Sequence, residues 1–183
     1  FFHSDTVNRF NQGKPEEDWL INYPSQDKEQ YILRNLMSTA DMCQELYDLA
    51  KQSIIFNCGR KSAKGFYVQI TSGYRCPTLN EMVGSWPGSQ HLEGEALDIK
   101  CPVFGSPELL FKFLHAKDFV VDQCLMEGSW LHISRRLDGK NRMEYAYYLK
   151  SKRTGKRTGA FGTGTPTGPE NGSNRSTGGW NCP

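Results

Sequence analysis

The 183-residue sequence lacks long hydrophobic runs, because stretches such as residues 119–121 are soon interrupted by charged residues. A membrane-spanning helix needs roughly 18 apolar residues in succession, so no membrane association is predicted. The N-terminal residues show neither the basic nor the apolar region of a signal peptide, and no such peptide is visible in this chain. An internal repeat of about 20 to 50 residues is also missing.

The sequence also lacks a Cys-x-x-Cys pair, because its six cysteines lie 15 to 58 residues apart. This spacing argues against a zinc ribbon and against a thioredoxin-like redox site. The even count permits disulfides, but a chain of this length can fold without them, so buried free thiols are an equally good interpretation. The redox compartment therefore stays open.

What the sequence does contain is typical of one soluble globular domain with appendages. Hydrophobic residues make up 37% and charged residues 23% of a chain that is too short for two ordinary domains. The formal net charge of +2 is unevenly spread, since residues 151–183 hold five basic residues and one acidic residue. This segment has few aromatic residues, which argues against nucleic-acid binding and favours a solvated linker, with contact to an anionic wall polymer as the alternative.

Hydrophobic periodicity predicts two helices. Apolar residues recur at helical spacing from residue 26 to residue 51, with Ser25 available as the N-cap. A second helix is predicted to open at residues 106–108, Ser-Pro-Glu, and to end near Lys117. Residues 1–24 contain Gly and Pro breakers and are predicted to form an irregular N-terminal segment.

Short β-strands are predicted over residues 66–71, 96–99, 120–126, 130–135 and 143–149. Tight turns join the last three strands, which indicates an antiparallel meander. The predicted fold class is therefore α+β, an antiparallel sheet with packed helices, in a domain that spans residues 25–150. Beyond it lies a Gly/Thr-rich basic tail, residues 151–183, which we expect to be flexible or supported from outside.

Two histidines and one aspartate stand out as candidate metal ligands. His91 and Asp98 are seven residues apart, a separation that suits a loop followed by a strand better than one helix face. On the strand near residue 132, His132 would lie on the opposite face from Leu131 and Ile133, so it could face a cleft while they pack. Two imidazoles and one carboxylate form a three-ligand zinc site with an open position, as catalysis requires. Spacing alone equally allows these to be ordinary core and surface polar residues.

The wider pattern resembles the zinc D-alanyl-D-alanine carboxypeptidase family of peptidoglycan peptidases. The resemblance covers residues 25–136 and rests on motifs in their order and spacing: Ser72-Gly73-Tyr74-Arg75, then Asn80 and Val83-Gly84, then Ser89-x-His91-x-x-Gly94-x-Ala96-x-Asp98-Ile99, and finally Trp130-x-His132-x-Ser134. The Asp122-Gln123 pair before the last motif is most similar to the bacteriophage branch of the family.

The resemblance implies a hedgehog/D-Ala-D-Ala-peptidase fold with Zn²⁺ bound by three ligands, His91, Asp98 and His132. It implies hydrolysis of peptidoglycan stem peptides, either at D-Ala-D-Ala or as an endopeptidase, in the bacterial cell wall or periplasm. Arg75 matches the family arginine that binds a substrate carboxylate, since a planar guanidinium suits that role. Ser89 is expected either to hydrogen-bond the substrate or to shape the loop before His91.

The catalytic acid of many family members lies three residues before the last histidine, and in this sequence that position is Ser129. A serine cannot shuttle the proton, so Glu127, five residues before His132, is the best substitute. The alternative is a catalytically weak or inactive peptidase-like structural or virion protein. In that reading, residues 151–183 bind a partner protein.

Overall fold

The computed structural model describes residues 5–57, 65–150 and 157–160. Within these ranges the α-helices are α1 (Asp5–Asn11), α2 (Glu29–Asn57), α3 (Pro77–Met82) and α4 (Pro107–Ala116). The strands are β1 (Gln69–Ser72), β2 (Ala96–Lys100), β3 (Gln123–Met126), β4 (Leu131–Ser134), β5 (Glu144–Lys150) and β6 (Arg157–Ala160). Short 3₁₀ turns occupy Glu16–Asp18 and Gln90–Glu93. None of the helices in the described part of the chain has the length and hydropathy of a membrane span.

The α+β class is confirmed, but the sheet is mixed and the predicted meander is wrong in its last step. The strand order is β1-β2-β4-β3-β5-β6, and β5 pairs with β3 in parallel, with Gln123 beside Glu144. The reason is that β4 is already paired on both edges, with β2 and β3. The chain after β4 therefore continues at a free edge of the sheet, that of β3, which it reaches in the parallel direction.

The N-terminal segment is more ordered than the sequence predicts, because it contains α1 and a 3₁₀ turn in place of the predicted irregular chain. A seven-residue helix has little stability of its own, so its order comes from tertiary contacts. Buried Val7 packs with Ile32 and Leu36 of α2, and the Asn11 side chain exchanges two hydrogen bonds with the backbone of Leu20, at 2.7 and 3.0 Å.

The two predicted helices are present as α2 and α4. The first begins at Glu29, after a turn in which the Lys28 amide donates to the Ser25 carbonyl, and it continues to Asn57. For α4 the predicted cap is confirmed, since Ser106 Oγ accepts a hydrogen bond from the Leu109 amide at 3.2 Å. Both helices bury apolar faces in one core, from Met42, Leu46, Ala50, Ile54, Leu110, Phe111, Phe113 and Leu114.

The central strands separate the hydrophobic core from a polar groove. Side chains alternate between the two faces of a strand, so every second residue faces the core. The core face carries Leu97, Ile99, Leu131, Ile133 and Cys124, all completely buried. The opposite face carries Asp98, Lys100, His132, Gln123 and Glu127, which all line one groove.

Four cysteines in the described ranges, Cys43, Cys76, Cys101 and Cys124, are free thiols. The interpretation of buried free thiols therefore holds for three of them, and Cys43 is half-buried. Of the predicted tail, Arg157–Ala160 pairs antiparallel with β5, and the remaining residues lie outside the described part of the chain. The prediction that a partner protein binds residues 151–183 likewise falls on residues that lie mostly outside the described part of the chain.

Candidate metal centre

Sheet register brings Asp98 and His132 side by side. Asp98 of β2 is directly opposite His132 of β4, and His132 is in turn opposite Leu125 of β3. Residues opposite each other in an antiparallel pair share one face of the sheet, so both polar side chains project into the groove. The alternation around Leu131 and Ile133 predicts this orientation of His132, and the structure confirms it.

His91 reaches the same point from the 3₁₀ turn Gln90–Glu93. Ser89 is the N-cap of this turn, since its Oγ accepts a hydrogen bond from the His91 amide at 3.4 Å. Gly94 ends the turn with φ 70°, and a Cβ there would lie 3.0 Å from the Ile32 carbonyl oxygen of α2. Only glycine combines this positive φ with such a close approach to α2, so Gly94 fixes the height of His91 above the sheet.

The three candidate ligand atoms converge on one point. His91 Nε2 lies 3.2 Å from Asp98 Oδ1 and 3.1 Å from His132 Nδ1, and the remaining separation is 3.3 Å. Zinc ligands lie about 2.0 to 2.2 Å from the metal, so tetrahedral ligand atoms are roughly 3.3 Å apart. The three side chains therefore match the ligand spacing of a zinc site, and all three residues are buried.

The distribution of hydrogen-bond donors and acceptors shows why this cluster suits a cation. His91 Nδ1 lies 2.6 Å from the Gly73 carbonyl oxygen, which only accepts, so Nδ1 must carry the hydrogen. The neutral ring then presents a bare Nε2 to Asp98 Oδ1, which is also an acceptor. Even a hydrogen on His132 Nδ1 would leave this pair of acceptors facing each other. Donation by the second ring nitrogen to a carbonyl is also the usual outer-shell contact of a metal-bound histidine.

Electrostatics place both His91 and Asp98 in the protonation states that a metal needs. Burial lowers the pKa of His91 to about 4, so its imidazole is neutral at pH 7. Burial alone would raise the pKa of Asp98, but the neighbouring His132 and His91 side chains outweigh burial and hold that pKa well below its usual range. A neutral imidazole and an ionised carboxylate are the forms that bind divalent metals.

Arg75 lies beside the cluster and binds the second oxygen of Asp98. Its Nη2 is 2.5 Å from Asp98 Oδ2, and its Nε donates to Ser72 Oγ at 3.0 Å. The Arg75 side chain is 13% exposed and lines the groove. The guanidinium thus orients Asp98 so that Oδ1 faces the two imidazoles.

Glu127 lies on the groove side of the hairpin that connects β3 and β4. Its amide donates to the Trp130 carbonyl at 3.0 Å across the turn, where Gly128 adopts φ 78°. Glu127 has the same strand parity as Leu125, so it shares the face of His132 and lines the groove with it. Because Leu125 is opposite His132, Glu127 is a diagonal neighbour of His132 across the hairpin. The backbones of such neighbours lie roughly 7 to 8 Å apart, a distance that a long carboxylate side chain can span.

A comparison with known families adds independent evidence. The family model described as Peptidase M15 matches residues 32–134, more than half of the chain. The chain belongs to the peptidase M15 family. The matched region runs from α2 to the end of β4 and contains all three candidate ligands. No curated protein and no solved structure matches the chain. The family resemblance inferred from the motifs is thereby confirmed, and the zinc dependence of the M15 family agrees with the His-Asp-His cluster.

The M15 domain also contains a polar network that sequence reasoning missed. Asp122 is fully buried and accepts hydrogen bonds from the Arg142 amide, Nε and Nη2, at 2.5 to 3.1 Å. The amide of the Gln90 side chain donates to the same carboxylate at 2.9 Å. Because Gln90 precedes His91, this network braces the turn that carries a candidate ligand. Arg142 lies twenty residues from Asp122 in the chain, and no local pattern links the two.

Proposed function

We propose that this M15 domain is a zinc-dependent peptidase that hydrolyses stem peptides of peptidoglycan, as a D-Ala-D-Ala carboxypeptidase or an endopeptidase. The observation that carries this proposal is the cluster of three possible ligand atoms within 3.3 Å of one another, inside the region that matches the family. Such a cluster is stable as a cation site and costly without one, because buried acceptors repel each other. The site of action would be the bacterial cell wall or periplasm, and a phage virion is the source that the motif resemblance suggests.

His91, Asp98 and His132 would hold the metal, and Arg75 would keep Asp98 ionised and correctly turned. When bound, zinc supplies polarisation of the scissile carbonyl and a coordinated water of near-neutral pKa. Glu127 would accept a proton from the attacking water and deliver it to the leaving amine. Its place at the turn between β3 and β4 suits this role, because the carboxylate can reach over the groove without blocking it.

Arg75 would also receive the substrate carboxylate. Its Nη1 donates a long hydrogen bond to Ser85 Oγ, at 3.4 Å, on the groove side. A guanidinium that already donates to one carboxylate can bind a second carboxylate on its other edge, since it has five N–H donors. Ser89 lines the groove and caps the turn of His91, so both expected roles suit its position.

The direct experiment is hydrolysis of purified peptidoglycan and of D-Ala-D-Ala-terminated stem peptides, with chromatography of the released products. We expect zinc-dependent release, and a loss of roughly 100-fold to 10,000-fold in turnover for Glu127→Gln, because the substitution removes the proton acceptor and keeps the shape. Glu108→Gln is the matched control, since Glu108 lies on the exposed face of α4, where it pairs with Lys112.

A second candidate follows from Ser129, which stands where many family members have their acid. In this candidate the domain binds zinc but serves as a structural or virion protein. The same experiment separates the two. Zinc binding without hydrolysis of any peptide would support the structural candidate, whereas unchanged turnover of Glu127→Gln would mean that another residue transfers the proton.

A further inference from the structure

We propose that Trp86 is a specificity-determining residue, which contacts the apolar side chain of the substrate residue on the leaving-group side of the scissile bond. This inference rests on the proposed peptidase function and deepens it. Trp86 is the most exposed large hydrophobic residue in the described part of the chain, at 76%. It lines the same groove as the three candidate ligands.

The backbone of Trp86 is fixed despite this exposure. Its carbonyl oxygen accepts two hydrogen bonds, from the Asn80 side-chain amide at 2.9 Å and from the Ser89 amide at 3.0 Å. The Ser85 amide donates to the Asn80 carbonyl at 3.0 Å, which closes the loop at its other end. A pre-ordered loop loses little conformational entropy when a ligand binds, so it can present an aromatic ring efficiently.

The indole ring of Trp86 also lies against its own loop, at Gly88. A Cβ added at Gly88 would lie 2.8 Å from Trp86 Nε1, so the ring packs directly over the backbone of Gly88. Any larger residue at position 88 would push the ring away. The loop thus presents an aromatic ring to the groove, with the Trp86 carbonyl hydrogen-bonded and the ring in contact with Gly88.

The position of Trp86 relative to Arg75 indicates which part of the substrate it contacts. Arg75 Nη1 reaches Ser85 Oγ, the neighbour of Trp86, and Ser89 at the loop's end caps the turn of His91. The loop therefore runs between the guanidinium that would bind the substrate carboxylate and a candidate zinc ligand. A residue whose carboxylate lies on Arg75 would place its side chain beside the Trp86 ring.

The walls around Trp86 favour an apolar side chain of modest size, such as the methyl group of Ala. Val83, which is 42% exposed, and buried Leu79 line the same groove. Contact with an aromatic face buries apolar area, which stabilises a methyl or methylene group and gives nothing to Gly.

The test compares peptides that share one acyl part and differ in the leaving residue, Gly, D-Ala or D-Leu. For the zinc-loaded wild type we expect D-Ala and D-Leu to exceed Gly in kcat/KM by about tenfold, the low end for an added methyl group in an apolar pocket. Trp86→Ala should lose this preference through a higher KM, Trp86→Phe should keep part of it, and Gly88→Ala should weaken it by displacing the ring. Trp19→Ala is the matched control, since Trp19 is 46% exposed and lies in a separate groove formed by residues 7–23.

A second readout does not depend on turnover. Calorimetric titration of the zinc-loaded Glu127→Gln protein with D-Ala-D-Ala should give a dissociation constant that rises about tenfold when Trp86→Ala is added. Hydrolysis by the wild type with unaltered selectivity and affinity in Trp86→Ala would overturn this inference alone. A wild type that hydrolyses none of the peptides would overturn the proposed function, and this inference with it.

Discussion

Asp98 and Asp122 are two buried aspartates near the same groove, each paired with an arginine, yet their surroundings differ. Asp122 is surrounded by donors, which come from Arg142 and Gln90. Asp98 gives one oxygen to Arg75, while its other oxygen faces the bare nitrogen of His91. The first carboxylate is satisfied by donors of the protein, whereas the inner oxygen of the second faces a histidine nitrogen that cannot donate to it.

This difference separates a structural carboxylate from a functional one. Buried charges are rare unless they are paired or coordinate a metal, and the donor count around each oxygen tells which applies. The pKa of Asp122 is also held below its ordinary value of 3.8, because hydrogen bonds from Arg142 outweigh the raising effect of burial. Low pKa values therefore do not distinguish the two aspartates, whereas the chemistry of their neighbours does.

The largest effect is expected for Asp98→Asn. An amide is a poor metal ligand, so zinc affinity should fall by more than the roughly 10-fold to 100-fold that loss of an outer-shell partner costs, and hydrolysis should vanish. Competitive titration with a chelator gives the affinity, and denaturant unfolding shows that the metal-free variant still folds. Wild-type zinc affinity in Asp98→Asn would place the metal elsewhere.

Asp122→Asn should have the opposite effect, lowering the stability of the fold while leaving zinc binding intact. An amide presents donors to the donors of Arg142, so a buried pair is broken, at a cost of about 3 kcal/mol in the free energy of unfolding. We take the low end of the known range because the Arg142 side chain is 51% exposed. Urea unfolding measures the loss, and the folded fraction should still bind one zinc. Unchanged stability with lost zinc would reverse the roles assigned to the two aspartates.

The pairing of Asp122 with Arg142 also predicts that the wild type and Asp122→Asn differ in acid stability. Since folding lowers the pKa of Asp122, its ionised form stabilises the protein above pH 3.8, and this contribution is lost as the pH falls toward the lower folded pKa. The free energy of unfolding of metal-free protein, measured between about pH 3 and pH 7, should thus fall more steeply for wild type than for Asp122→Asn. Parallel curves would show that folding does not lower the pKa of Asp122.

A smaller effect is expected for Arg75→Lys, which separates the orienting arginine from the ligand it orients. A point charge cannot reproduce the fork that joins Asp98 and Ser72, so kcat/KM should fall, by about tenfold, while one zinc remains bound. Steady-state kinetics on stem peptides and zinc content on the same sample give both quantities. Unchanged kinetics would make Arg75 purely structural.

Local patterns predict part of this structure well. The Ser106 cap and the alternation around His132 depend on neighbours in the chain, and both are confirmed. The family motifs predict that His91, Asp98 and His132 lie close together, because each residue stands at a fixed distance from a turn or strand. The catalytic role of Glu127 and the substrate roles of Arg75 and Ser89 stay predictions, since they concern a reaction.

Long-range pairings could not be predicted in this way. The parallel placement of β5 depends on which strand edge is free after β2, β3 and β4 have paired, and α1 depends on apolar contacts with α2. The pairing of Asp122 with Arg142 follows from that placement, because β5 starts two residues after Arg142 and the amide of its first residue, Glu144, donates to the Asp122 carbonyl at 3.0 Å. Such contacts are set by topology, which local periodicity does not encode.

The most direct test of the central claim is the zinc content of the purified chain after equilibration with a slight excess of zinc and dialysis. One zinc per chain is expected for the wild type, with loss of the metal in His132→Ala. His115→Ala is the control, since His115 lies on α4 against Tyr145, away from the cluster, and should keep its zinc. No zinc in the wild type, or equal zinc in His132→Ala, would contradict the assignment of a metal site to His91, Asp98 and His132.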